Sequence, residues 1–507
     1  MSSLAKVGVR AVKWSVVTTI ARFALQLVAQ IVLARMLGPE NYGIFGIGML
    51  VLTLSNFLSN FGFGWILLHK SDLNDEDIRF ALTWQVVAGS VAMVLVYLLS
   101  PWLATYFNEP RVEPVIRWLS LACLMGAAAS PASSLLQRDF NFKAIGLIQV
   151  VSYAIGYIAI GIPLAMQGYG VNALVAAWLI QALVALLATY AVRPHALRPL
   201  FRFSGMAAAM GTSGIVFATN VVNWWLNNLD RVLIGRLLNA HAVGVYTAGY
   251  NLATLPNSLL LGALQPAFMA AGARMQSDSE RLGRAYLQML AAICVFVLPF
   301  FVFLAFISFD LVRLLYGPQW SDTGWVLAIL FLGMPAYVAW GISTPVLWNT
   351  GRKHHEALLQ LPVLFLGGLG LYFSVQVGVQ IAAATASILA LFRMLMICAS
   401  VFQVLGLRYT AVLPDLIRGL LLSMLGAGSA TAGRFAMAPW NQPILSLMAS
   451  SLLALAIFVF LVRLHPKVIG KKATNILTML APRLTQFLVH PQIIDAPHSL
   501  PAQSQDE

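Results

Sequence analysis

Sorted into apolar and polar positions, the chain is a series of long apolar runs of about 20 residues separated by short polar joints. Runs of that length match the hydrocarbon core of a bilayer. Residues 14–36, 43–67, 80–104, 115–136, 145–166 and 172–192 form a first block of candidate spans. Residues 215–238, 244–268, 285–308, 324–347, 357–376 and 380–404 form a second, and 416–434 and 444–463 close the series. Backbone in lipid must satisfy its own hydrogen bonds, and no alternating barrel pattern appears, so every span is predicted helical. The expected fold class is an all-α polytopic membrane protein with about 14 transmembrane helices.

The joints carry a second pattern. Arg35-Met36-Leu37, Gly43-Ile44-Phe45 and Gly48 return as Arg236-Leu237-Leu238, Gly244-Val245-Tyr246 and Gly249, at a constant offset of about 201 positions. Each copy closes one apolar run and opens the next, so the chain reads as two related halves. This divides it into residues 1–192 (helices one to six), a basic linker 193–214, residues 215–404 (helices seven to twelve), residues 405–463 (two extra helices) and a tail, 464–507. Within the tail, 466–490 is amphipathic, with Ile476, Leu480, Leu484 and Phe487 on one face, and is expected along the inner membrane surface.

Composition agrees with this pattern. The chain is 60% apolar and 10% charged, more apolar surface than a soluble core could hide. A net charge of +13 would suggest nucleic acid in a soluble protein, but the basic residues are scattered through the joints. They read as a topology signal, and no nucleic-acid partner is expected. With the N-terminus in the cytoplasm, about 21 Lys and Arg fall inside, about 6 outside and about 4 within spans. An even number of spans returns the C-terminus to the same side. The first run is too long for a cleaved signal peptide and contains Arg22. The three cysteines, Cys123, Cys294 and Cys398, lie inside apolar runs and read as small core residues.

Candidate chemistry lies in residues that do not suit lipid. Arg22, Asp230, Arg231, Arg393 and Arg418 fall within spans. Each would cost about 2.5–3.5 kcal/mol facing hydrocarbon, and four arginines together roughly 10–14 kcal/mol. Either they face a water-filled interior, as a cationic cavity for an anionic substrate would require, or they snorkel to an interface; Arg418 reads as the latter. Asp230 beside Arg231 is equally compatible with local neutralisation. Asn56 with Asn60, Asn223 with Asn227, and Gln26 with Gln30 recur one helical turn apart. Such amides glue helices together or line a path for sugar hydroxyls, and Trp224 and Trp225 either pack or stack on sugar rings.

Other chemistry is weakly signalled. Asp75-Glu76-Asp77 reads as a solvated charge run, and His354-His355-Glu356 lacks the further ligands a metal site needs. No nucleophile motif, phosphate loop or zinc-protease motif occurs, so an enzyme is not expected.

The segments LARMLGPENYGIFGIG (33–48), SSLLQRDFNFKAIG (133–146) and NNLDRVLIGRLLNAHAVGVYTAGYNLATLP (227–256) resemble bacterial polysaccharide-biosynthesis membrane proteins, the O-antigen and colanic-acid flippases of the multidrug/oligosaccharidyl-lipid/polysaccharide exporter superfamily. The resemblance implies two six-helix lobes around a central cavity. It implies a cargo of oligosaccharide on undecaprenyl diphosphate, flipped across the bacterial inner membrane by alternating access. It implies coupling to an H+ or Na+ gradient with no bound cofactor, and work beside a polysaccharide polymerase and glycosyltransferases. Arg22 and Arg231, with Arg393, would engage the diphosphate; Asn56, Asn60, Asn223, Asn227 and Trp224 would line the sugar path; Asp230 would couple or pair. Two alternatives remain: a drug or small-cation exporter of the same superfamily, which would want more acidic cavity residues, and a membrane polymerase or glycosyltransferase, which would want a large outer loop.

Overall fold

The computed structural model describes residues 2–59, 67, 73–201, 206–275, 278–465 and 468–480. Asn60, the end of the second apolar run, and Leu484 and Phe487 of the amphipathic tail lie outside these. Among the described residues the regular structure is helical, in the order α1 (Ser2–Ser59), α2 (Asp75–Tyr106), α3 (Val112–Arg138), α4 (Phe142–Met166), α5 (Val171–Val192), α6 (Met206–Leu237), α7 (Ala240–Arg274), α8 (Ser279–Leu315), α9 (Ser321–Asn349), α10 (Lys353–Val377), α11 (Val379–Val404), α12 (Leu413–Met437), α13 (Pro443–Leu464) and α14 (Lys471–Leu480).

Two predicted spans share α1. They are divided at Gly38, whose φ of 71° and ψ of 172° lie outside helical space, followed by Pro39, which has no N–H to donate. A side chain at Gly38 would be strained there, so the break is fixed by residue type. Helix α6 begins at Met206, ahead of the predicted 215, because the added residues MAAAMGTSG are rich in helix-forming Ala though too polar to extend an apolar run. The acidic triplet opens α2 as a capping box: the Asp77 carboxylate accepts from the Asn74 N–H at 3.0 Å. Asp77 is buried, so this residue is a cap and not a solvated charge.

The helices divide into two compact units. One holds Met1–Ala248 with Leu315–Trp320 and Leu371–Ala382. In it the first half of α1 packs through Ala29, Leu33 and Leu37 onto Tyr153 and Tyr157 of α4 and Ala173, Leu174 and Ala177 of α5. The second half of α1 packs on α3, where Gly48 lies so close to Val115 and Leu119 that a Cβ would overlap Val115. The basic linker runs along α2: Thr83 accepts from the Leu200 N–H at 2.8 Å, and Arg79 donates to the Arg198 carbonyl at 3.0 Å.

The other unit holds Gly249–Leu314, Ser321–Gly370 and Ala383–Glu507. Its centre is α9, most of which is buried. Gly249 of α7 fits against Val326 and Leu327 of α9, the counterpart of Gly48 against α3. Small residues again permit close crossings: Gly419 of α12 sits on the Cys294 carbonyl of α8, and Gly433 of α12 on Ser450 of α13. The described part of the amphipathic tail, α14, docks on this unit. Lys472 reaches the Asp415 carboxylate at 3.1 Å and the Ala411 carbonyl at 2.7 Å, and Ala473 is fully buried.

Candidate functional site

The internal repeat has a physical meaning in the first unit. Its two copies meet reciprocally: a Cβ on Gly43 would overlap the Ala240 carbonyl, and one on Gly244 would overlap the Pro39 carbonyl. Ala240 occupies the repeat position of Pro39, and Gly244 that of Gly43. The contact is therefore the internal equivalent of a two-fold interface, where residue i meets j′ and i′ meets j. The repeated arginines behave alike. Arg35 donates from Nε to the Leu315 carbonyl at 2.6 Å, and Arg236 donates to the Tyr106 carbonyl at 2.7 Å while lying 5.2 Å over the Tyr106 ring. Both carbonyls end helices, where a cation is favoured by the unsatisfied C-terminal groups. Around Arg35, Gln319 donates to the Arg35 carbonyl at 2.6 Å and Trp320 to the Ala34 carbonyl at 3.0 Å.

The charged pair singled out in the sequence sits two turns inside α6. The Asp230 carboxylate accepts from the Tyr246 hydroxyl at 2.5 Å and from the Arg231 N–H at 2.8 Å, and Arg231 Nε lies 3.7 Å away. Arg231 also donates to the Asn227 carbonyl at 2.7 Å, and Asn227 donates to the Asn223 carbonyl at 2.7 Å. The Asp230 and Arg231 side chains retain only 12% and 15% of their exposure, so the pair is mutually neutralised in a confined setting. Helical spacing brought four predicted residues, Asn223, Asn227, Asp230 and Arg231, onto one hydrogen-bonded strip. The part played by Tyr246 was not legible, because its partner lies across a helix joint.

The remaining candidates are dispersed. Trp224 donates to the Thr53 hydroxyl at 3.0 Å and packs with Leu50 and Val232, leaving it 7% exposed. In this conformation its faces are occupied by packing, while Trp225, edge-on at 5.4 Å, is 39% exposed. Asn56 is half-buried on α1 and Arg22 half-buried a few turns from the Gly38 break. Among the described residues no hydrogen bond or ion pair joins Arg22 to Arg231. Arg393 belongs to the second unit, with its guanidinium carbon 3.5 Å from the centre of the Trp340 ring. Arg418 pairs with Asp415 at 2.7 Å and is more exposed than its partner, as a snorkelling residue would be. Among the described residues no group of three His, Cys, Asp or Glu could hold a metal.

A polytopic helical chain built on an internal repeat, with an ion pair inside one apolar span and a stacked cation inside another, has the make-up of a membrane transporter. The chain belongs to the polysaccharide biosynthesis protein family, whose sequence model matches residues 32–324. It is 28% identical over 342 residues to the lipopolysaccharide biosynthesis protein WzxC of Escherichia coli (strain K12), covering 65% of this chain and 67% of that one. It is 27% identical over 342 residues to the succinoglycan biosynthesis transport protein ExoT of Rhizobium meliloti (strain 1021), covering 67% and 68%. Its fold is that of the lipid II flippase MurJ in an inward closed conformation, with a TM-score of 0.70 over 89% of this chain and 99% of that one at 15% identity.

Proposed function

We propose that this protein is a flippase that carries oligosaccharide units linked to undecaprenyl diphosphate across the bacterial inner membrane by alternating access, driven by an H+ or Na+ gradient. The observation that carries this reading is membership of the polysaccharide biosynthesis family over more than half the chain. The transport protein ExoT and the MurJ-like fold support it. Both termini lie in the cytoplasm in this reading, and the cargo passes from the glycosyltransferases that build it to a polymerase outside.

The physical task is to shelter a hydrophilic headgroup from hydrocarbon while the polyprenyl tail stays in lipid. Guanidinium groups suit the diphosphate because their N–H forks match its oxygens and their charge offsets its own. Arg22 and Arg231 take that role in the first unit and Arg393 is a separate candidate in the second, while Asn56, Asn60, Asn223 and Asn227 offer amides to sugar hydroxyls. Asp230 holds Arg231 while the site is empty and serves as the coupling carboxylate. Trp224 braces α6 against α1, and the more exposed Trp225 is the better placed of the two to meet a sugar ring.

The test is leaflet distribution. In cells lacking the protein, lipid-linked glycan should accumulate facing the cytoplasm. An unchanged distribution would remove the proposal. Arg231→Ala at normal abundance should fail to complement, and full complementation would remove that residue from the site.

A further inference from the structure

Arg393 lies in α11 (Val379–Val404), 14 residues from one end and 11 from the other, so at least about 16 Å of helix separates it from either terminus. A cation at that depth needs compensation. Its guanidinium carbon is 3.5 Å from the centre of the Trp340 ring, a van der Waals distance that leaves room only for a guanidinium lying flat on the indole. The stacking removes one face from solvent, and among the described residues the guanidinium donates no hydrogen bond. Among the described residues Arg393 Nε is buried without a hydrogen-bond partner, as are Trp340 Nε1 and Gln360 Oε1. Among the described residues no carboxylate lies within ion-pair distance of Arg393. Glu356 is within electrostatic reach, but its carboxylate accepts from Gln360 Nε2 at 2.6 Å. The Tyr337 ring packs edge-on to Trp340, with ring centres 4.7 Å apart.

We infer that Trp340 and Arg393 form an oxyanion-binding site in the second unit, in which Trp340 is a positioning residue that holds the guanidinium flat with its N–H edge directed at an oxyanion of the cargo. The inference rests on the flippase reading and adds a residue outside the charged positions considered above. Trp340 contributes through Arg393 alone. A guanidinium pinned on an indole loses little rotamer freedom when it binds, which is the source of the gain in affinity. The shared chemistry of the ligand is an oxyanion, supplied by the diphosphate or by a carboxylate-bearing sugar.

The experiment uses the full chain in lipid nanodiscs and measures binding of farnesyl diphosphate calorimetrically, with glucuronate as competitor. Trp340→Leu should weaken binding about ten-fold, in keeping with a desolvated cation–π contact, and Trp340→Phe, which keeps an aromatic face, by no more than about three-fold. Arg393→Gln should weaken it at least as much as Trp340→Leu. The double variant should match Arg393→Gln, because a tryptophan acting only through the arginine has nothing left to position. Competition by glucuronate that disappears in Arg393→Gln shows that the site accepts a sugar carboxylate as well as the diphosphate; competition absent in the wild type assigns it to the diphosphate alone. Binding unaffected by Trp340→Leu, or losses that add in the double variant, would overturn the inference and leave the flippase reading intact. A wild-type protein that binds neither probe overturns both.

Discussion

Replacing Gly43 by alanine tests the reciprocal crossing of the two repeat copies. On helix propensity alone the change should stabilise α1 by about 1 kcal/mol. Against this stands the Ala240 carbonyl, which a Cβ would overlap, with the Gly244 nitrogen only 2.9 Å from the same point. Both obstacles are backbone, so no side chain can swing away, and relief requires the two chain segments to separate. Overpacking of this kind costs about 1–3 kcal/mol and belongs at the upper end here. The expected net loss is about 1–2 kcal/mol, and the same reasoning applies to Gly244→Ala against the Pro39 carbonyl.

The symmetry of the contact makes the prediction sharper. A separation that accommodates the first methyl also makes room for the second, since both enter the same crossing. The double variant should therefore lose less than the sum of the singles, by about 0.5 kcal/mol or more. Thermal unfolding of the detergent-purified protein measures all three, with Gly126→Ala as the control. A Cβ at Gly126 meets nothing within 4 Å, so that variant should melt at or above the wild-type temperature. If Gly43→Ala melts like Gly126→Ala, or if the two single losses simply add, the crossing is not the constraint described.

Three further outcomes follow from particular contacts. Tyr246→Phe removes the hydroxyl donor of a confined carboxylate and should cost about 1–3 kcal/mol, with less lost when it is combined with Asp230→Asn; equal losses in both backgrounds would show that the hydroxyl does not serve Asp230. Asp415→Ala strips the shared partner of Arg418 and Lys472 and should cost about 3 kcal/mol and expose α14 to trypsin, whereas Lys472→Ala, which leaves Arg418 in place, should cost about 1 kcal/mol. Equal trypsin sensitivity in the two variants would refute that division. In the joint between α2 and α3, the hydrogen bond from Arg111 holds the Glu109 carboxyl below its usual range, against a smaller upward push from burial. The folded value lies below the unfolded one, so the stabilisation is full above the ordinary carboxylate pKa, about 4.3, and is lost as pH falls through the folded value. The melting temperature of Arg111→Ala should therefore drop less on acidification from about pH 6 to about pH 3 than that of the wild type.

Much of the fold was legible because lipid simplifies the reading: a 20-residue apolar run has few fates. The separation of the first two spans and the repeat could be read from run length and offset alone. The start of α6 could not, since a polar Ala-rich turn carries no apolar signal, nor could the docking of α14, since an amphipathic face fits a membrane surface and a neighbouring helix equally well. At the site, one-turn spacing sufficed for Asn223, Asn227, Asp230 and Arg231. It could not pair Arg393 with Trp340 on another helix, nor assign Trp224 to packing, because both depend on contacts between segments far apart in sequence.

The repeat also shows which positions tolerate divergence and which do not. Three positions where the copies agree, Arg35 with Arg236, Gly43 with Gly244 and Gly48 with Gly249, contact the other copy or the equivalent neighbouring helix, and at a shared crossing each copy must present the same surface. Three of the proposed cargo and coupling residues fall where the copies differ, whereas Asn56 has an asparagine, Asn257, at its repeat position. Arg22 faces the repeat position of Asn223; Asp230 that of Ala29, which is fully buried; and Arg231 that of Gln30, whose amide donates to the Tyr316 hydroxyl at 3.2 Å. A symmetric scaffold with an asymmetric lining is what a two-ended cargo requires, since a diphosphate and a glycan present different chemistry to the two halves. Converting Gln30 to arginine would place an arginine at both copies of this one position at the cost of the Tyr316 contact, adding a second cation where an amide now serves. On this argument Gln30→Arg should impair complementation while leaving the Gly43–Gly244 crossing and the melting temperature nearly intact, and undiminished transport would show that the asymmetry of the lining is incidental.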